Sequence, residues 1–189
     1  ILAIVLVVCV CNGYFASVAM KYQKGTAMCD EWNENMAYTH DYAKNIEIGD
    51  KDYKILCLTD IHIRNFATFA ACLGTNFILD GMGNYIINLT RDNKPVYTLF
   101  MLDDGMFRVV DHEITYGGVG KNQIKWYEWA VKGIADENGG QTVPNLAFMH
   151  VPVPEYKEQK DNFKMGLRLE ETTCATVNDG FFDSFKSHG

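Results

Sequence analysis

The stretch from Tyr53 to Asn65 sets the tightest constraint on what this chain can fold into. It reads Tyr53-Lys54-Ile55-Leu56-Cys57-Leu58-Thr59-Asp60-Ile61-His62-Ile63-Arg64-Asn65. The run Ile55–Leu58 has the unbroken apolar character of a strand covered on both faces. Ligands of open α/β sheets sit just beyond the carboxyl ends of such strands, and Asp60 and His62 fall there. Residues two apart in an extended segment point to the same side. A carboxylate oxygen beside a neutral imidazole nitrogen is a donor pair suited to Zn, Fe or Mn. Taken alone the spacing is weak, because two solvated polar residues at a strand exit make the same pattern.

A second strand end repeats the arrangement. Asn145–Met149 is a short apolar run that ends in His150, and Val151-Pro152-Val153-Pro154 forces an extended exit. Between the two lie the elements expected to build the rest of the sheet. Ile46–Ile48 and Tyr53–Leu58, around Gly49-Asp50, read as a hairpin. Phe66–Leu73 reads as a short helix. Asn84–Leu89 and Pro95–Leu102 flank the turn-like Arg91-Asp92-Asn93-Lys94 and should pair as an antiparallel hairpin. Asp103-Asp104-Gly105 ends the second of these strands. Gly117-Gly118-Val119-Gly120 reads as a flexible loop that lacks the Gly-Lys-Ser/Thr ending of a phosphate-binding loop. A helix is expected over Asn122–Asn138, with Ile124, Tyr127, Val131 and Ile134 on one face and Gly139 as its cap. Residues 155–176 read as polar loop, and Asp179–Lys186 as the start of a last helix.

The totals fit one folded unit. The chain has 189 residues, 48% of them apolar and 22% charged, which is globular composition. A formal net charge of −7 argues against nucleic acid as the main partner, so Trp126, Tyr127 and Trp129 are expected to pack rather than to stack on bases. The first residues, Ile1–Cys11, form an apolar run too short to span a bilayer and suited to the core of a secretory signal. The expected division is a partial signal over 1–19, a polar lead-in over 20–52 and the main domain over 53–189. No stable membrane span is expected. The signal would route the protein to the secretory pathway, with an extracellular, vacuolar or lysosomal destination. Asn88-Leu89-Thr90 would then be a glycan acceptor at Asn88. Among Cys29, Cys72 and Cys174 a disulfide is possible in that compartment, with no pairing favoured.

Six ordered blocks resemble the calcineurin-like metallophosphoesterases, in particular their short purple-acid-phosphatase-like group. They are Lys54-Ile55-Leu56-Cys57-Leu58-Thr59-Asp60-Ile61-His62, Leu79-Asp80-Gly81-Met82-Gly83-Asn84-Tyr85, Leu99-Phe100-Met101-Leu102-Asp103 and Gln123-Ile124-Lys125-Trp126-Tyr127. The last two are Leu146-Ala147-Phe148-Met149-His150-Val151-Pro152-Val153-Pro154-Glu155 and Val177-Asn178-Asp179-Gly180-Phe181-Phe182. The resemblance implies an α/β (α+β) fold, a β-sandwich of two mixed sheets flanked by helices. It implies metal-dependent hydrolysis of phosphate esters, with a phosphorylated small molecule as substrate. Two divalent or trivalent ions (Fe, Zn or Mn) are expected for the family. By position, Asp60 and His62 resemble ligands of the first metal, and His150 a ligand of the second.

The likeness is incomplete. The family's Gly-Asp and Gly-Asn-His motifs belong in the interval Ile63–Leu79, which contains neither, and a late Gly-His-x-His is absent too. Three ligands can hold one ion, as in a catalytic zinc site, so at most one ion is expected here. Part of the core is expected to be missing, as in an incomplete or mis-spliced gene product. The competing expectation is a catalytically inactive member that binds a partner or folds poorly. Asp103, Asp104, His112 and Glu155 are further residues that could approach the site.

Overall fold

The computed structural model describes residues 29–49, 76–79, 81–105, 107–162 and 172–188. The expected signal at Ile1–Cys11, the strand Tyr53–Leu58, the pair Asp60 and His62, and the helix Phe66–Leu73 lie outside the described residues.

The sheet is built around one hairpin. Strand β4, Gly81–Arg91, turns back through Asp92-Asn93 into β5, Lys94–Met101. Both turn residues have positive φ, 53° and 60°, the geometry whose twist matches paired antiparallel strands. Both faces of this hairpin are apolar where they matter. Ile86 faces Phe100 across the strands, and Asn88 faces Thr98; on the opposite face Ile87 lies against Leu99 and Tyr85 against Met101. A strand pair apolar on both sides must be covered on both sides, and Ile86, Ile87, Leu99 and Phe100 are all buried.

The first helix covers one face. α1, Lys121–Glu137, is a 17-residue helix. It follows the expected Asn122–Asn138 to within a residue, and Ile124, Tyr127, Val131 and Ile134 are buried as expected. Phe100 meets Tyr127 edge to face with ring centroids 4.8 Å apart, and Trp126 at 5.9 Å. These contacts make Trp126 and Tyr127 core residues. The helix ends as its glycine signals. Gly139 has φ +72°, its N–H donates to the Asp136 carbonyl, and the Gly140 N–H donates to the Ala135 carbonyl. That pair of bonds satisfies carbonyls that the last turn leaves open.

α1 also makes a parallel neighbour possible, since parallel strands need a crossover between them. β8, Asn145–Phe148, returns beside β5 in parallel register, with Leu99 opposite Leu146 and Phe100 opposite Ala147. Three shorter strands complete the sheet. β1 is Cys29–Glu31, β2 Ala43–Glu47 and β3 Asn76–Leu79. The order is β1-β3-β4-β5-β8, with β2 pairing with β4 in parallel.

The described residues thus form a mixed sheet with helices, an α/β arrangement. Two local readings change, and a segment without one, residues 107–116, proves to be regular. Residues 29–47, expected as polar lead-in up to a strand at Ile46–Ile48, contribute β1, β2 and a 3-10 turn at His40–Tyr42. In β2 only Ala43 is buried, so no apolar period marks it; backbone pairing with β4 makes it a strand. Residues 107–116 form a separate two-stranded hairpin, β6 at Phe107–Val110 and β7 at Glu113–Tyr116. Asp111 and His112 turn it with φ +50° and +69°. Pro154–Asn162, expected as polar loop, is a 3-10 helix. The last helix, α2, spans Phe181–His188 and packs Phe181 against Tyr127 at 5.6 Å. Among the described residues no helix is long and apolar enough to cross a membrane.

Candidate site at the strand ends

Because β5 and β8 are parallel neighbours, their carboxyl ends lie side by side. β5 runs out through Leu102 into Asp103 and Asp104, and β8 through Met149 into His150. The Leu102 N–H donates to the Phe148 carbonyl at 2.9 Å, so the two exits stay in register beyond the last paired residues. His150 is exposed. Asp104 is buried, and its Oδ2 accepts the Val151 N–H.

Buried amides hold this corner in place. Asn84 and Gln123 are both fully buried. Gln123 Nε2 donates to Asn84 Oδ1 at 2.7 Å and to the Asp103 carbonyl at 2.8 Å. Asn84 Oδ1 also accepts the Asp103 N–H at 3.1 Å. Gln123 Oε1 accepts the Gly120 N–H at 2.8 Å, which is the return half of a capping box; Gly120 has no side chain to form the other half. The expected flexible loop is in fact packed, with Gly117, Val119 and Gly120 buried. A Cβ on Gly117 would collide with the carbonyl oxygens of Asp104 and Gly105, and the Gly118 N–H donates to the Asp104 carbonyl at 2.9 Å.

The electrostatics follow from this burial. Loss of water pushes the Asp104 carboxyl up to about 6. The Val151 N–H and the nearby His150 act the other way, and Asp103 adds to the rise.

The expected site residues are distributed unevenly. His150 stands at the strand-end corner with Asp103 and Asp104, while Asp60 and His62 lie outside the described residues. His112 is at the exposed tip of the β6–β7 hairpin. Glu155 accepts a hydrogen bond from Asn178 Nδ2, joining the 3-10 helix to the segment before α2. Asn88 does not suit a glycan. It is 2% exposed, its Nδ2 donates to Asn45 Oδ1 and its Oδ1 accepts from Thr98 Oγ1. The acceptor nitrogen lies inside the sheet layer, so the Asn-Leu-Thr pattern there is strand sequence. Cys174 is a buried free thiol.

Sequence reasoning missed Asn84 and Gln123 as organising residues. The available signal was Gln123 itself, a polar residue preceding Ile124 at the start of an apolar helix face. A cavity of about 10 Å³ adjoins the corner, lined by Val119, Val151, Val153, Ala175, Asp179 and Phe181 among others. It has room for about one water and none for a phosphate ester.

As to a metal, the donor set among the described residues is incomplete. His150 is an exposed imidazole, but no group of three His, Cys, Asp or Glu that could hold an ion occurs among them. Asp104 turns its carboxylate to a backbone N–H.

Comparison with known proteins gives a class. The chain resembles the purple acid phosphatases, within the calcineurin-like metallophosphoesterases. It is 29% identical over 124 residues to "Probable inactive purple acid phosphatase 29" of Arabidopsis thaliana, covering 59% of this chain and 32% of that protein. It is 29% identical over 125 residues to "Probable inactive purple acid phosphatase 14" of the same plant, covering 59% and 31%. For "Probable inactive purple acid phosphatase 28" the figures are 29% over 119 residues, 59% and 30%. The matched region thus spans about a third of each relative's length. No protein-family model and no solved structure matches the chain.

Proposed function

We propose that this chain carries a phosphoesterase-type metal site at the carboxyl ends of β5 and β8, acting on a phosphorylated small molecule. His150 supplies one ligand, and Asp60 and His62 complete a set of three around a single Fe, Zn or Mn ion. The observation that carries the reading is the position of His150. It leaves β8 beside the end of β5, at the edge of an α/β sheet where ligands bind. The likeness to purple acid phosphatases supports the substrate class. A bound ion would offset the charge of an anionic phosphate. Entry into the secretory pathway, read from Ile1–Cys11, belongs to the same proposal.

A second reading is favoured by two observations. All three relatives are called probable inactive, and Ile63–Leu79 contains neither Gly-Asp nor Gly-Asn-His. In that reading the site binds a metal or a phosphorylated ligand without turnover. Metal analysis of the purified chain, with hydrolysis of a chromogenic phosphomonoester, separates the two. Metal-dependent turnover lost in His150→Ala and Asp60→Asn supports the first. Metal retained without turnover supports the second. Absence of metal affinity in the intact chain rejects the first, and absence of binding to a phosphorylated ligand as well rejects both as accounts of this site.

A further inference from the structure

We infer that the outward face of the β6–β7 hairpin is a self-association surface, on which Val109 and Ile114 of one copy pack against Ile114 and Val109 of a second across a two-fold axis. The inference does not depend on the metal-site reading. Among the described residues the hairpin joins no other strand, and its two strands have four residues each. A lone two-stranded hairpin of that size is marginal in water. Cross-strand pairing sorts its side chains onto two faces. Arg108, Val110, Glu113 and Thr115 share one, and Val109, Ile114 and Tyr116 share the other.

The two faces are oriented against the usual rule. The polar face is tied to the body: Arg108 Nη1 donates to Asp179 Oδ2 at 2.9 Å, and the Asp179 side chain is only 9% exposed. Val110 and Thr115 on that face are half-buried. The face without charges looks outward, with Val109 71%, Ile114 75% and Tyr116 46% exposed. A contiguous apolar patch left in water marks a contact surface.

Charge decides between its occupants. Asp111 and Glu113 are exposed at the tip, the chain carries a net charge of −7, and Arg108 is already paired with Asp179. An anionic membrane, which unpaired basic residues would attract, is therefore repelled. A second copy is repelled at long range as well, but at contact no like charges oppose each other, because Glu113 lies on the other face. The outward pair is also self-complementary. A two-fold axis through it sets Val109 on Ile114 and Ile114 on Val109, the reciprocity that an isologous contact needs. Both side chains are β-branched, so burying them freezes little rotamer freedom. Three side chains from each copy make less than a standard interface, so the dimer is weak and forms with rising concentration.

The test is sedimentation of the full chain over a range of concentrations, at low and high salt. The wild type should pass from monomer to dimer and stop there. High salt should shift the transition to lower concentration, because it screens the repulsion between copies and leaves the apolar contact in place. Ile114→Lys sets an ammonium on the apolar surface of both copies and should weaken dimerisation by about tenfold or more. Its denaturant midpoint should stay near wild type, since Ile114 is exposed. Charge exchange locates the contact. A chain with Val109→Lys and Ile114→Lys, and one with Val109→Glu and Ile114→Glu, should each be monomeric alone and form a one-to-one heterodimer when mixed. A wild type that stays monomeric throughout overturns the inference. So do dimers that weaken with salt, dimers as strong in Ile114→Lys as in wild type, growth beyond the dimer, or a charge-exchanged mixture that stays monomeric. If the variants do not fold, hydrogen exchange of the wild-type amides in 107–116 decides. Slower exchange in concentrated than in dilute samples supports the surface, and equal exchange overturns it.

Discussion

Gln123 engages three partners with two side-chain atoms, and each partner belongs to a different piece of the strand-end corner. Removing it takes a buried bond from the Asp103 carbonyl and from the Gly120 N–H, while Asn84 Oδ1 keeps the Asp103 N–H. Each unmet group costs on the order of 1–3 kcal/mol. Gln123→Ala should therefore destabilise the chain by about 3 kcal/mol, read as a lower denaturant midpoint with unchanged slope. Asp104 gives a pH dependence whose sign is fixed. Its folded pKa, about 6, lies above the ordinary 3.8 because burial disfavours the charge, so the folded state holds the proton more tightly. The stability from this group is fully present below about pH 4 and is lost as pH rises through about 6. His150 and Asp103 both act on this carboxyl, and a metal-free sample keeps the titration simple. Asp104→Asn cannot ionise. Its stability relative to wild type should rise between pH 4 and 7, by on the order of 2 kcal/mol, in denaturant melts across that range.

At the scale of elements, the segment before β2 is fastened to α1 through aromatic rings. Tyr38 and Trp129 meet edge to face at 5.2 Å, Trp32 and Trp129 at 6.0 Å, and the Trp129 indole N–H donates to the Met36 carbonyl at 2.6 Å. Gly133 makes room for this, since a Cβ there would collide with Cβ and Cγ of Tyr38. Alanine favours a helix over glycine by about 1 kcal/mol, but overpacking costs about 1–3. Steric collision wins because the obstructing atoms lie at the base of the Tyr38 ring. Gly133→Ala should lower stability and accelerate exchange of amides in 38–47. The same scale decides Asn88. A chain made in a glycosylating host should show an unmodified Asn88 by mass spectrometry, as its amide is buried between Asn45 and Thr98. The readable elements had a physical signature. β4 and β5 carry apolar side chains on both faces around a polar turn, and α1 repeats its apolar residues at helical steps before a glycine. Only the end of β2 was legible, in the strand expected at Ile46–Ile48; the rest escaped because β2 is exposed from Lys44 to Glu47 and pairs in parallel with β4. β6–β7 escaped because its Asp111-His112 turn lacks the glycine that marks most two-residue hairpins; the β-branched Val109, Val110, Ile114 and Thr115 around it were the signal. At the corner His150 was legible, as a histidine closing an apolar run. Asp104 was legible only as one of four residues that could approach the site, because Asp-Asp-Gly reads as a plain turn until β8 is known to lie alongside.

On the scale of the whole molecule, a two-faced sheet puts the β5 and β8 exits together at one edge. α1 and α2 cover one face through Phe100, Trp126, Tyr127 and Phe181. A second apolar cluster of Tyr85, Ile87 and Leu99 lies on the opposite face. This layering gives the corner its rigidity and links residues more than forty positions apart, as in the bond from Val151 to Asp104. The central claim is that Asp60, His62 and His150 meet around one cation at that edge. The most direct measurement is a crystal structure of the full chain soaked in Zn²⁺, with the ion located by anomalous scattering. The account requires one zinc peak within about 2.0–2.2 Å of a nitrogen of His150, a nitrogen of His62 and an oxygen of Asp60. Zinc bound without His150, or Asp60 and His150 on different faces of the sheet, would contradict it.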